Sequence, residues 1–266
     1  MKKYLSFFKL KFTIGLQYRA AALAGLSTQL FFGFVNIMVY MAFYSSGSAD
    51  VSISIEQLTT YLWLNQVFFA LIYIWYKDNE IINMIRNGDI AYELCRPENL
   101  YIMWFIRILA AKTSQTLLRG IPLLIFVSII PKPYRLLYPD IKTIIIFIIA
   151  ITISSLLITA IIVLMYLLSV YTLDEKGIFT IFSTISDILS GQSIPLALFP
   201  NILLKICSIL PFAYISDFAF RIFCKHITGT SIINGLIIEI TWLIIIISIG
   251  LLLSKIILKR AVIQGG

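Results

Sequence analysis

Apolar residues in this chain occur in long runs separated by short polar segments, which is the pattern of helices that cross a membrane. About 20 apolar residues in helical geometry span the hydrocarbon core of a bilayer. Some runs carry no charged residue, and others carry a single one. The six predicted spans are residues 20–44, 58–76, 113–130, 143–171, 178–194 and 235–254. We therefore expect an all-α membrane protein with one transmembrane domain over residues 1–266.

The apolar segment after the fifth predicted span is interrupted by prolines. Gly191, Pro195, Pro200 and Pro211 lie in or next to it, and a proline inside a helix removes a backbone hydrogen bond. No uninterrupted helix there reaches the length of a span. We therefore expect an outer re-entrant region over residues 195–234, which dips into one interface and packs against neighbouring helices.

Composition supports lipid as the solvent. Hydrophobic residues make up 60% of the chain and charged residues 13%, whereas soluble domains carry about 25% charged residues. This imbalance excludes an ordinary soluble fold. We attribute the net charge of +8 to an unequal distribution of basic residues between the loops on the two sides of the membrane. No nucleic-acid partner is expected.

The distribution of basic residues predicts the orientation. In the six-span arrangement, fourteen of the 21 Lys and Arg residues lie on the same side of the membrane as the N-terminus, and six lie on the opposite side. The remaining one, Arg119, lies within a span. Basic residues concentrate in cytoplasmic loops, so both termini are expected in the cytoplasm. Lysines interrupt the apolar residues within residues 1–19, so no apolar run there is long enough for a signal peptide. This segment is predicted to form an interfacial amphipathic helix.

Residues suited to catalysis or metal binding are few. Three cysteines and His226 are too scattered for a zinc site, and no catalytic residue or metal ligand is assigned. Cys207 and Cys224 could form a disulfide or remain as buried thiols. The phosphate-binding pattern G-x-x-x-x-G-K-[ST] is absent, so any ATPase must be another polypeptide.

The largest predicted cytoplasmic segment, residues 77–103, mixes acids, bases and apolar residues. Asp78 can cap a short helix, Ile81 and Ile85 give it an apolar side, and Gly88 is a natural left-handed stop. The Arg96-Pro97 pair forces the chain to extend before it re-enters the membrane. Such a helix suits a groove on a soluble partner, although a helix that rests on the headgroups is the alternative.

Two sequence stretches carry a family resemblance. The stretch EIINMIRNGDIAYELCRPENLYIMW resembles the cytoplasmic loop of type-2 ABC transporter permeases, and LSGQSIPLALFPNILLKICSILPF resembles the exit from the fifth helix of the same permeases. The matching loop positions are Glu80, Ile81, Ile85, Arg86, Gly88, Ile90, Leu94, Arg96 and Pro97. The matching outer positions are Ser190, Gly191, Pro195, Leu196, Phe199, Pro200, Leu210, Pro211 and Phe212.

The resemblance implies the membrane subunit of a bacterial ATP-driven exporter in the plasma membrane. Two permeases would pair, and each would engage an ABC ATPase subunit that binds ATP and Mg²⁺. A second, non-identical permease is favoured over a homodimer. Residues 77–103 would hold the coupling helix, with Glu80, Arg86 and Arg96 as its main contacts. The apolar spans suit a hydrophobic or amphipathic cargo such as a drug, peptide or lipid-like molecule.

Charged residues inside the predicted spans allow a different interpretation. Arg119 and Asp187 are predicted at similar depth, where charge is costly and usually paired or functional. They could form an ion pair, Arg119 could reach the interface while Asp187 faces water, or Asp187 could contact a cationic cargo. Glu239 is expected near the outer end of its span, without a special role. The alternative function is an ion-coupled secondary transporter that uses Asp187 and Arg119.

Overall fold

The computed structural model describes residues 2–45, 53–90 and 98–260, with side chains up to residue 257. Every regular element in these ranges is helical. The α-helices are α1 Lys2–Gly15, α2 Arg19–Ser45, α3 Ile55–Val67, α4 Phe69–Ile72, α5 Asn79–Asn87, α6 Leu100–Ile129, α7 Ile141–Thr172, α8 Glu175–Leu189, α9 Asn201–Ile209, α10 Asp217–Phe223 and α11 Thr230–Arg260. Two 3₁₀ turns, Leu196–Leu198 and Pro211–Ile215, flank α9.

Helix α7 lies at the centre of the bundle. Every side chain from Leu157 to Leu167 is buried, and α6, α8, α10 and α11 all pack against this helix. The outer faces of the surrounding helices are apolar, as Phe31, Ile125 and Ile244 illustrate with exposed fractions of 63%, 58% and 60%. Such large exposed apolar surfaces are typical of a protein that faces lipid.

Three helices in the described part of the chain are long and apolar enough to cross a membrane. They are Arg19–Ser45, Ile141–Thr172 and Thr230–Ile257, which correspond to the predicted spans 20–44, 143–171 and 235–254. Helix α6 covers the predicted span 113–130 but begins earlier, and it carries Arg107, Lys112 and Arg119. Thus three of the six predicted crossings are supported by helix length and composition alone.

The predicted span 58–76 is not one helix. Helix α3 ends at Val67, Phe68 separates it from the single turn of α4, and Tyr73 is extended. The buried ammonium of Lys112 donates hydrogen bonds to the carbonyl oxygens of Ala70, Leu71 and Tyr73 at 3.3, 3.0 and 2.6 Å. The fourteen basic residues that the sequence assigns to the side of the N-terminus include Lys112, and the structure corrects this by burying Lys112 within the bundle.

The proline-rich region is broken as the sequence predicts. Pro195 and Pro200 immediately precede short helical turns, and Pro211 begins another. Gly191 has a positive φ of 77°, a conformation that glycine adopts at no steric cost. Helix α8 ends at Leu189, whereas the predicted span ran to residue 194. Cys207 and Cys224 are both free and buried, so they form no disulfide.

Candidate functional site

Helix α5 is capped at both ends by its own sequence. The Asp78 carboxylate accepts hydrogen bonds from the backbone N–H groups of Glu80 and Ile81 at 3.0 and 3.3 Å, as expected of an N-cap residue. Gly88 follows the helix with a φ of 76°, which is the left-handed C-terminal stop. Both caps predicted from the sequence are therefore confirmed.

The two faces of α5 differ sharply. Ile81, Ile82 and Ile85 are buried, and this apolar face packs on α7. The opposite face is exposed and consists of Asn79, Glu80, Asn83, Arg86 and Asn87. A polar, accessible helix face fixed by an apolar back is able to contact another protein without leaving its own bundle.

Asp78 links α5 to two long helices. Arg107 of α6 donates from Nε and Nη2 to the two Asp78 carboxylate oxygens at 2.5 and 2.8 Å. This two-pronged geometry is the strong form of an arginine–carboxylate pair. The backbone N–H of Asp78 donates to the Tyr166 hydroxyl of α7 at 2.6 Å. The first turn of α5 is thereby fixed to both α6 and α7.

Glu80 extends the same charge cluster towards solvent. Arg107 Nη2 also donates to Glu80 Oε2, and Lys11 Nζ of α1 lies 3.5 Å from that oxygen. The hydrogen bond from Arg107 is the main reason that the pKa of Glu80 lies below its ordinary value. The Glu80 side chain is nevertheless 69% exposed, so its carboxylate stays accessible from outside.

Arg86 links the other end of α5 to α8. Its guanidinium donates to the buried carboxylate of Glu175, in the first turn of α8. Asp174 caps that helix by accepting from the Gly177 N–H at 2.9 Å. The cleft between the two helices is polar and open to solvent. It is lined by Ile85, Arg86, Leu173, Asp174, Glu175 and Lys176.

The structure brings most of the predicted coupling residues together. Glu80, Ile81, Ile85, Arg86 and Gly88 all belong to α5 or its cap. Arg96 and Pro97, which the sequence also assigns to this region, lie outside the described residues.

Sequence reasoning missed Arg107, which it treated only as one more loop base. Two acids two residues apart, Asp78 and Glu80, were a signal that a basic partner was required. The sequence alone, however, does not show which of several nearby basic residues pairs with these two acids.

Arg119 and Asp187 do not form an ion pair in this structure. The Asp187 carboxylate accepts from the indole N–H of Trp75 at 3.4 Å. Arg119 instead packs on α2, where a Cβ atom added to Gly25 would lie 2.8 Å from its guanidinium carbon. Of the three interpretations left open by the sequence, direct pairing is therefore not the arrangement that the structure contains.

Two buried acids have partners that the sequence did not predict. Asp217 is 1% exposed and lies 2.9 Å from the Tyr61 hydroxyl, which also lies 3.0 Å from the carbonyl oxygen of Gly191. Glu239 is 0% exposed and lies 2.9 Å from Ser154 Oγ. The structure buries Glu239 between α7 and α11, and the expectation that it has no special role stays a prediction.

The described charged side chains around α5 form a partly exposed surface. Within the described ranges, no three His, Cys, Asp or Glu residues cluster in a way that could hold a metal ion. The densest set of charged side chains is the one around α5. Its acids and bases are mutually paired and partly exposed, which suits the docking of another protein.

Comparison with known protein families gives a match over most of the chain. A family model described as "ABC-2 family transporter protein" matches residues 30–264, which is nearly the whole chain. A search of curated proteins gave no match. The matched range includes α5 to α8 and the proline-rich region.

Proposed function

The chain belongs to the ABC-2 family of transporter proteins, and from this premise we propose that it is the permease subunit of an ATP-driven exporter. ATP and Mg²⁺ would bind to a separate ABC ATPase subunit. In this proposal the six predicted segments cross a bacterial plasma membrane, with α5 and both termini in the cytoplasm. A second permease completes the pathway, and a non-identical partner is favoured over a second copy.

We propose that α5 is the coupling helix that receives force from the ATPase. One observation carries this assignment: α5 keeps one face exposed while its other contacts join it to three helices. Arg107 connects it to α6, Tyr166 to α7 and Glu175 to α8. A displacement of α5 would therefore reach three helices of the bundle directly, without an intervening flexible loop.

The transport step follows from these links. Binding of ATP draws two ATPase subunits together, and each moves the α5 helix seated on it. Because α5 is fixed to α6, α7 and α8, the helices tilt as a group, and the pathway changes from inward-open to outward-open. The apolar character of the helices favours a hydrophobic or amphipathic cargo.

The test is a charge reversal at the exposed face of α5. We expect Arg86→Glu to lower cargo-stimulated ATP turnover of the purified complex roughly tenfold or more, as loss of an interface anchor does. Because this variant also opposes Glu175, a second variant, Asn83→Arg, is needed. Asn83 is exposed, and a bulky charged residue there would obstruct docking directly.

The matched control is Arg135→Glu, the same reversal at an exposed arginine between α6 and α7. It should leave both ATP turnover and co-purification of the ATPase unchanged. Normal turnover in both Arg86→Glu and Asn83→Arg, with the ATPase still bound, would reject α5 as the coupling helix.

An ion-coupled carrier is the second candidate function, and Glu239 is the observation that favours it. Ser154 Oγ lies 2.9 Å from both the Tyr214 carbonyl oxygen and Glu239 Oε1. Its hydroxyl has one hydrogen; if this goes to the carbonyl, the second contact requires a proton on Glu239. Uptake driven by a pH gradient without nucleotide would support this function, whereas transport that strictly requires ATP would exclude it.

A further inference from the structure

Arg119 lies in a cleft between α2 and α6 and has no counter-charge in the described part of the chain. It is partly buried, and no described residue forms a hydrogen bond or ion pair with it. Helix α6 rises about 18 Å from Arg107 to Arg119 at 1.5 Å per residue. The Cα atom of Arg119 therefore lies farther along α6 from the α5 cluster than that of Arg107, and both residues line one cavity.

The guanidinium of Arg119 is held within the cleft by its contact with α2. Its Cζ, Nε and Nη1 atoms lie 2.8 to 2.9 Å from the position that a Cβ atom on Gly25 would take. Any side chain at Gly25 would displace it.

The cleft carries an excess of positive charge. A cavity of about 370 Å³ is lined by four basic residues, Lys11, Lys77, Arg107 and Arg119, but by only two acids, Asp78 and Glu80. Arg107 is already paired with both acids. Lys11 lies 3.5 Å from Glu80, and the Lys77 ammonium lies 5.2 Å from the ring centroid of Phe179. The site therefore attracts an anion, and Arg119 is the one of these four bases without such a contact in the described part of the chain.

Apolar and aromatic surface continues from this cleft. A second cavity of about 200 Å³ shares Tyr76, Gln115 and Arg119 with the first and is otherwise lined by Phe69, Ala70, Tyr73 and Trp75. Trp75 is 56% exposed, and Leu117 and Ile121 on the same stretch of α6 are 40% and 49% exposed. Indole and phenol rings beside a basic group are typical of membrane interfaces.

We propose that this cleft binds an anionic phospholipid, with its phosphate on Arg119 and its acyl chains against the aromatic and aliphatic surface. A guanidinium presents paired donors that match two phosphate oxygens, and Gln115 lies one helical turn away to add a further donor. Basic pockets between membrane helices bind lipid headgroups in this way. Binding of a lipid at this site requires neither ATP nor an ATPase subunit.

The test uses the full chain in phosphatidylcholine nanodiscs that contain nitroxide-labelled phosphatidylglycerol. Electron paramagnetic resonance then measures the fraction of label that is motionally restricted by the protein. We expect roughly fivefold tighter association of phosphatidylglycerol than of labelled phosphatidylcholine, the effect of about one basic side chain at an anionic membrane surface. The measurement contains no nucleotide, so it stands apart from any failure of ATP-driven transport.

Two variants and one control localise the effect. Arg119→Gln should remove the preference for phosphatidylglycerol, and Arg135→Gln, the same change at an exposed arginine, should keep it. Gly25→Ala preserves all charges but displaces the guanidinium, so it should weaken the preference even if Arg119→Gln fails to fold.

Three results would overturn the proposal. Equal restriction of the two labelled lipids by the wild type would do so, as would a preference that survives in both Gly25→Ala and a folded Arg119→Gln. Displacement of the probe by inorganic phosphate as effectively as by unlabelled phosphatidylglycerol would identify a site for a free anion, without a role for acyl chains.

Discussion

Lys112 shows how one side chain can stabilise an interruption in a membrane helix. The carbonyl groups at the end of a helix have no intrahelical partner, and in lipid no water replaces one. The Lys112 ammonium has three hydrogens, and each finds a carbonyl oxygen at the end of α4 or just after it. The interruption after α3 therefore depends on a residue of α6.

We expect Lys112→Met to destabilise the protein by about 3 kcal/mol, because it leaves buried carbonyl groups without donors. The measurement is the free energy of unfolding or the thermal midpoint in detergent. Lys142→Met, at an exposed lysine near the start of α7, is the matched control and should melt like the wild type. Equal melting of Lys112→Met and the control would show that the cap is dispensable.

At the scale of elements, α5 is a short helix held by charge as much as by apolar packing. Its buried apolar face consists of only three isoleucines. Isolated helices of this length are unstable in water. The contacts from Arg107 and Arg86 at its two ends therefore have a large share in its docking. This explains why acids and bases gather around α5.

The charge cluster predicts how docking of α5 depends on pH. Since Arg107 lowers the pKa of Glu80 below its ordinary value of 4.5, the Glu80 carboxylate stabilises the folded protein above pH 4.5. This contribution is lost as the pH falls through the lower folded pKa. The difference in thermal midpoint between wild type and Glu80→Gln should be constant from pH 7 to about pH 5 and then shrink.

Removal of the basic partner tests the cause of this pH dependence. In an Arg107→Met background, the Glu80→Gln substitution should have a smaller effect at pH 7 and a weaker dependence on pH, since the two residues interact directly. An unchanged difference in that background would mean that another group, such as Lys11, supplies the interaction.

At the scale of the whole molecule, the bundle has two polar ends around an apolar middle. The α5 cluster lies at one end. At the other, Lys225 and Asp140 form an ion pair at 2.5 Å, with side chains that are about half exposed. Along the chain, α6 leads from the α5 end to the loop that contains Arg135, and α7 returns from that loop to the α5 end. The two polar ends should therefore face opposite sides of the membrane.

Labelling of introduced cysteines tests this orientation. With Cys95 replaced by serine, the remaining native thiols, Cys207 and Cys224, are buried and should stay unmodified. A membrane-impermeant maleimide added to intact cells should label Arg135→Cys but label Asn83→Cys only after the membrane is opened. Labelling of both positions in intact cells would contradict a crossing by α6, and the reverse pattern would invert the predicted orientation.

The amino-acid sequence by itself determined the features that depend on near neighbours. Apolar runs specified α2, α7 and α11, Asp78 and Gly88 specified the ends of α5, and prolines broke the region after α8. Helix hydrogen bonds and caps join residues that are three or four positions apart, so local order is sufficient to predict them.

Only the tertiary structure decided which charged groups meet. Arg107 reaches Asp78, Lys112 reaches the end of α4, Asp187 meets Trp75, and Glu239 is buried against Ser154. These partners are tens to more than a hundred positions apart in the chain. A buried charged group forms a hydrogen bond with the partner that the packed helices bring within reach. Helix packing therefore determines these pairs, and the pattern of residues along the chain does not specify it.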